Sequence, residues 1–231
     1  LLNDVRVLEK RLDQTVKRFV ALGLPRGAAL PEPLPSALQP RLRSDPRNLD
    51  RLRTAHGLAP GARLAALMPG AEYGPAKRWP AEHYGALAAA LAGASTDVVV
   101  LGSAKERAIG DDVAARAASA RVRNLCGETS LADVVDLLAA ADVAVSNDSG
   151  LLHVAAAAGA PVVAIYGSSS PKFTPPLTDD AAVVSLEIEC SPCFARECPL
   201  GHMKCLNDLR PATVLGAVET LRAARRSGDR R

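Results

Sequence analysis

The stretch Val143-Ala144-Val145-Ser146-Asn147-Asp148-Ser149-Gly150-Leu151-Leu152-His153-Val154-Ala155-Ala156-Ala157-Ala158-Gly159-Ala160-Pro161-Val162-Val163-Ala164-Ile165-Tyr166 decides the class of the fold. Val143–Ser146 is a short apolar run that turns polar at its end, which predicts a buried strand. Gly150–Ala158 is rich in Ala and Leu and is stopped by Gly159 and Pro161, which predicts a helix. Val162–Tyr166 is β-branched and apolar again, a second strand. A strand, a helix and a strand in so few residues form a parallel unit with a right-handed crossover.

Working outward, the same alternation recurs. Strands are predicted at Leu64–Met68, Val98–Leu101, Val122–Leu125 and Val183–Leu186, and helices at Ala81–Leu91, Lys105–Ala118 and Leu131–Ala140. Repetition of this unit predicts an α/β fold, a Rossmann-like doubly wound parallel sheet over residues 61–210. A last helix, roughly 211 to 225 within a C-terminal segment 211–231, is expected to pack back across it. Residues 1–25 carry a helical pattern (Leu8, Leu12, Val16, Phe19, Val20) closed by Pro25. Residues 26–60 hold Pro31, Pro33, Pro35, Pro40 and Pro46, which predicts a linker ending in a short helix through His56-Gly57.

Composition excludes some classes. Of 231 residues, 48% are hydrophobic and 3% aromatic, so the core must be built from Ala, Val and Leu. A net charge of +3 is too small to argue for nucleic acid, and no such partner is expected. Part of the excess lies in Arg222, Arg225, Arg226, Arg230 and Arg231, which reads either as a solvated helix end or as weak attraction to an anionic membrane surface. No segment reads as a membrane span, because Leu151–Gly167 is broken by His153, Gly159 and Pro161. The chain opens Leu1-Leu2-Asn3-Asp4 without a basic-then-apolar leader, so a cytoplasmic piece of a longer protein is expected.

In doubly wound sheets ligands sit outside the carboxyl ends of the strands. At Ser146-Asn147-Asp148-Ser149-Gly150, Ser149 or Asp148 can cap the following helix, Gly150 permits close approach, and the free N–H groups suit a diphosphate. His153, one turn inside, reads as a packed residue or a ligand contact. In Pro69-Gly70-Ala71-Glu72-Tyr73-Gly74-Pro75-Ala76-Lys77-Arg78-Trp79-Pro80, Lys77 and Arg78 place two cations at the same edge, either solvated or facing a leaving diphosphate. Trp79 is expected to pack the next helix. Glu106, after Gly102-Ser103-Ala104-Lys105, sits where a ribose diol is often held, and where a helix dipole favours an acid in any case. Gly167-Ser168-Ser169-Ser170-Pro171-Lys172-Phe173-Thr174-Pro175-Pro176 offers hydroxyls and a cation near the same edge, or is a flexible Ser-rich connection. Neither a G-x-G-x-x-G nor a Walker loop is present, which argues against a dehydrogenase or NTPase. Cys190, Cys193, Cys198 and Cys205, with His202 among them, read as a structural cluster of reduced thiols, with zinc or disulfides as the competing readings.

Taken together, the loops at 69–80, 146–156 and 166–171 resemble the ADP-heptose:lipopolysaccharide heptosyltransferases, glycosyltransferase family nine. The segment Cys190–Cys205, with Cys198-Pro199-Leu200-Gly201-His202, resembles the branch that adds the second heptose. The resemblance runs from the helix before Pro25 to the last helix. It implies a GT-B arrangement of two Rossmann-like domains, acceptor domain first and ADP-sugar domain second. On that implication residues 1–25 end the acceptor domain, most of which, with the general base, lies outside this chain. It further implies that Lys77 and Asp148 are catalytic, with Lys77 on the donor phosphates and Asp148 on the heptose. Glu106 would hold the nucleoside, Ser149 and Gly150 the diphosphate through their N–H groups, and His153 would lie beside the sugar.

The implied reaction moves heptose from ADP-heptose to the heptose already on the inner core of lipid A, with inversion. The implied partners are the ADP-heptose donor, the lipid A inner-core acceptor and peripherally the inner membrane. No cofactor or metal is required if Lys77 and the helix end neutralise the diphosphate. The alternatives are the branch adding the first heptose, another nucleotide-sugar transferase of this fold, or a zinc-binding interaction module built on Cys190, Cys193, Cys198 and Cys205.

Overall fold

A computed structural model describes residues 12–227, apart from residues 26, 33, 36, 37 and 94. The expectations for Leu8, Pro33, Arg230 and Arg231 lie outside the described residues. Six strands form one parallel sheet: β1 (Arg63–Met68), β2 (Thr96–Val100), β3 (Val122–Asn124), β4 (Val143–Asn147), β5 (Val162–Tyr166) and β6 (Ala181–Ser185). Their order is β3-β2-β1-β4-β5-β6, so the winding reverses between β1 and β4. There Leu67 pairs with Val145 and Met68 with Ser146, which brings the loops after the two strands out side by side. Every residue of β2, β4 and β5 is buried, the reading expected of strands covered on both faces.

Helices α3 (Ala81–Leu91), α4 (Arg107–Ala117) and α8 (Pro211–Ser227) cover one face. Their core joins Leu87, Leu91, Val113, Val214 and Val218 to Val98, Val100 and Ile165 of the sheet. Helices α2 (Pro46–Ala55), α5 (Leu131–Ala139) and α6 (Gly150–Ala158) cover the other, with Leu52, Leu137, Leu138 and Leu152 against Ala66, Val99 and Ala164. Small residues on the strands let the helices lie close, the answer of an Ala-rich sequence to a shortage of aromatics. Ahead of these lies α1 (Thr15–Gly23), which exposes Phe19, and late in the chain a one-turn α7 (Lys204–Asn207) buries Cys205 and Leu206.

Several boundaries shift by a residue or two from the sequence reading: β2 begins at Thr96 where Val98 was expected, and α4 at Arg107 where Lys105 was. The strand expected at Val183–Leu186 begins two residues earlier, at Ala181, on the half-exposed edge of the sheet where apolar periodicity is weak. The short helix assigned to the linker is docked on the domain. Asp136 of α5 accepts from the Asp45 N–H at 2.6 Å and from Asn48 at 2.6 Å, while Leu52 and Leu58 are buried beneath. The basic last helix is also engaged: Arg222 pairs with Asp142 at 2.9 Å and Arg225 with Asp180 at 3.6 Å. Among the described residues no helix is long and apolar enough to cross a membrane.

Candidate donor site at the sheet switch point

The loops that leave β1 and β4 are tied together by one buried amide. Asn147 accepts the Trp79 backbone N–H at 3.0 Å and donates to the Pro69 carbonyl at 2.7 Å. Tyr84 adds a contact to the same oxygen at 3.2 Å, and the Trp79 indole donates to Leu209 at 2.8 Å. Trp79 is fully buried, so the expected packing role holds. This clamp sets Lys77, two residues before Trp79, against Asp148, one residue after Asn147. Their ammonium and carboxylate meet at 2.5 Å, with Lys77 17% exposed and Asp148 5%. Thr174, in the loop after β5, donates to the other Asp148 oxygen at 3.3 Å. The two cations at 77 and 78 part company. Lys77 turns inward, while exposed Arg78 braces its own loop by donating to the Ala71 carbonyl at 3.2 Å.

Asp148 therefore does not cap α6, and neither does Ser149. Ser149 occupies the cap position with extended backbone, yet its side chain makes no capping hydrogen bond and lies 3.3 Å from the Ser146 hydroxyl. Side-chain capping, expected from the Asp-Ser-Gly sequence, is absent because both candidates turn away from the helix axis. The first-turn N–H groups stay unbonded by side chains, at the positive end of the macrodipole.

Beside this helix start lies a cavity of about 460 Å³, within the size range of small-molecule sites. Ser149 and Gly150 border it on one side, and Ser103 and Glu106 on another, while Leu131, Val134 and Val154 supply an apolar wall. Of the two roles open to Glu106, the structure displays the capping one. One carboxylate oxygen accepts from the Ser103 N–H at 2.7 Å and its hydroxyl at 3.0 Å. The other oxygen lies so close to Gly70 that an added Cβ would sit 1.5 Å from it, so the loop after β1 needs glycine there. Glu106 still lines the cavity, and a diol reaching it meets a carboxylate already oriented by the backbone.

His153 is exposed on α6, near Asp148 and Lys77. Desolvation by the surrounding protein lowers its pKa below the usual histidine value, Asp148 opposes that shift and Lys77 adds to it. With its pKa below the ordinary histidine value, the ring is neutral at pH 7.

All five cysteines are free thiols. Cys190, Cys193, Cys198 and Cys205 surround a cavity of about 20 Å³ together with Ser168 and His202. The Cys198 sulfur accepts N–H groups from Met203, Leu200, Gly201 and His202, the first contributing most, which lowers its pKa. Burial raises that of Cys205, and burial followed by Glu106 pushes Cys126 up to about 12. Among the described residues no group of three or more His, Cys, Asp or Glu is placed to share a metal ion. Of the four, Cys205 is buried and Cys193 exposed, with Cys190 and Cys198 between.

Sequence reasoning missed the apolar wall, the contact of Thr174 with Asp148 and the clamp at Asn147. A leucine directly after the capping Ser130, at the first position of a helix, is the sign of the wall that the sequence carries, and the structure leaves Leu131 64% exposed.

The glycosyltransferase family 9 (heptosyltransferase) profile matches residues 1–204. Lipopolysaccharide heptosyltransferase 2 of Salmonella typhimurium is 41% identical over 230 residues, covering 96% of this chain and 65% of that protein. Its Escherichia coli K12 counterpart is 40% identical with the same coverage. The solved structure of E. coli ADP-heptose lps heptosyltransferase II superposes with a TM-score of 0.83 at 38% identity, over 97% of this chain and 67% of that one. The chain thus spans about two thirds of the length of the relatives it matches.

Proposed function

The chain belongs to glycosyltransferase family 9, and from that premise we propose that it is the donor-binding part of an ADP-heptose:lipopolysaccharide heptosyltransferase adding the second heptose. The observation that carries the reading is that one cavity gathers an apolar wall of Leu131, Val134 and Val154, suited to a flat base, with Ser103 and Glu106, suited to a ribose diol, and the uncapped helix start at Ser149 and Gly150, suited to a diphosphate. The Lys77–Asp148 pair adjoins Ser149 along the chain, and in this reading the bond between phosphate and sugar breaks beside it.

In this proposal Lys77 shares its ammonium between Asp148 and the departing phosphate, and the α6 N–H groups take up the rest of the developing charge. Asp148 orients Lys77 and faces the sugar, with His153 alongside. The general base that deprotonates the acceptor hydroxyl is assigned to the preceding acceptor domain. The acceptor is the heptose-bearing inner core of lipid A, met at the cytoplasmic face of the inner membrane. The donor charge is matched by Lys77 and the helix end, so no cofactor or divalent ion is assigned. EDTA is expected to leave ADP affinity unchanged.

Calorimetry of the chain with ADP, UDP and GDP tests the donor assignment. Tighter binding of ADP, weakened by Lys77→Ala, is the expected result. Equal affinity for the three nucleotides would overturn it.

A further inference from the structure

Beyond the Lys77–Asp148 pair the site carries an aromatic border that the donor reading does not use. The chain has one Trp, three Tyr and three Phe. Trp79, Tyr84 and Tyr166 are buried, whereas Tyr73 is 44%, Phe173 43% and Phe194 47% exposed. In a chain so poor in aromatics, three exposed rings gathered at one edge ask for a reason beyond packing.

They are connected to the pair in a closed circuit. The Tyr73 hydroxyl donates to the Phe194 carbonyl at 2.8 Å, and the Phe194 ring meets the Phe173 ring edge-on, centroids 5.4 Å apart. Thr174, the neighbour of Phe173, bonds Asp148, which pairs with Lys77, whose ammonium lies 5.0 Å from the centre of the Tyr73 ring. Arg196 stacks over the same ring at 5.5 Å, and among the described residues its guanidinium makes no hydrogen bond or ion pair.

The segment that presents Phe194 and Arg196 is bolted down. Phe194 N–H donates to the Ser168 carbonyl at 2.6 Å, Ala76 N–H to the Arg196 carbonyl at 3.1 Å, and Ser191 to the Gly167 carbonyl at 2.6 Å. A Cβ on Gly74 would come within 2.4 Å of the Arg196 carbonyl oxygen, so the two loops touch through backbone. Phe194 itself holds a φ of +55°, a left-handed conformation that disfavours a bulky side chain. The chain accepts that strain and gains an exposed ring beside the site.

We propose that Tyr73, Phe173, Phe194 and Arg196 form a stacking rim that holds the transferred sugar ring against the Lys77–Asp148 pair. The inference rests on the donor reading above, which places the sugar next after the diphosphate. Aromatic faces take the C–H face of a pyranose, and the unpaired Arg196 fork donates to its hydroxyls.

The test compares the affinities of the chain for ADP and ADP-heptose. The wild type is expected to bind ADP-heptose more tightly than ADP. Phe173→Ala, Phe194→Gly and Arg196→Gln are each expected to shrink that advantage by about 3- to 10-fold, the range of a lost ring or cation contact, with ADP affinity held. Phe194→Gly is informative because glycine suits the positive φ, so thermal stability should hold or rise while sugar affinity falls. An advantage that survives all three substitutions overturns the rim. So does equal weakening of ADP and ADP-heptose, or a wild type that binds ADP with no gain from the sugar. Absence of ADP binding overturns the donor reading first, and the rim with it.

Discussion

Helices α5 and α6 start alike and end up with opposite tasks. Each follows a loop at the carboxyl edge of the sheet, and each has serine at the cap, Ser130 and Ser149. At α5 the start is closed. Ser130 Oγ accepts the Asp133 N–H at 3.2 Å, and Asp133 accepts from the Ser130 N–H at 2.9 Å and its hydroxyl at 2.7 Å. Asn48 and Arg51 of α2 complete the Asp133 shell at 2.8 and 2.7 Å. At α6 the residue three beyond the cap is Leu152, no acid lies in the first turn, and a side chain added at Gly150 would meet open space. One serine closes a helix start, while the other leaves the first-turn donors unbonded by side chains. The residue three positions on makes the difference.

The sharpest way to break this contrast is to close α6 as α5 is closed. Ser149→Asp should lower ADP affinity on the order of 100-fold, through lost donors and like-charge repulsion, while raising or preserving thermal stability. Parallel loss of both would show that α6 is held by packing that the substitution disrupts. Next in size, Lys77→Ala should weaken ADP by about 10-fold or more. It should also cost about 3 kcal/mol of stability, because buried Asp148 loses its partner. Denaturant midpoints should then recover part of that loss in the Lys77→Ala, Asp148→Asn double variant.

At the α5 cap itself, whose Ser130 and Asp133 do not line the cavity, the effects should fall on stability. Ser130→Ala is expected to cost ~1 kcal/mol without changing ADP binding. The Asp133 carboxyl, held by Asn48 first and then by Ser130, sits at about 2, below its ordinary 3.8. A carboxyl depressed in the folded state adds stability that is complete above pH 4 and lost as pH falls through about 2. Acid titration of Asp133→Asn should lack that step. The smallest effect belongs to His153. Burial lowers its pKa, and a neighbouring diphosphate would raise it, so binding is coupled to proton uptake as the solution is acidified. ADP affinity should tighten modestly from pH 7.5 to 5.5, and His153→Gln should flatten that slope.

The sequence makes the strands and most helices legible because burial on both faces leaves continuous Val and Ala runs, as at Val143–Asn147. The edge strand β6 is displaced from its expected place because half of it faces solvent. Lys77, Asp148 and Ser149 are legible through the rule that places ligands beyond strand ends, and the missing acid at Leu152 could have been read as an open helix start. Thr174, Tyr73 and Phe194 could not be, since their meaning depends on contacts between segments about 25 to 120 positions apart. The docking of α2 is hidden for a related reason. Its proline- and arginine-rich stretch looks unattached until Asp136 accepts two of its N–H donors.

Asn147 has a consequence for tolerance to change. Its amide uses acceptor and donor at once, toward Trp79 and Pro69, so neither aspartate nor leucine can stand in: one loses the donor and the other loses both groups. The Lys77–Asp148 ion pair sits within two residues of this joint on either side. Variation farther out along either loop is therefore absorbed before it reaches the ammonium and carboxylate, like slack in a cable ahead of a fixed cleat.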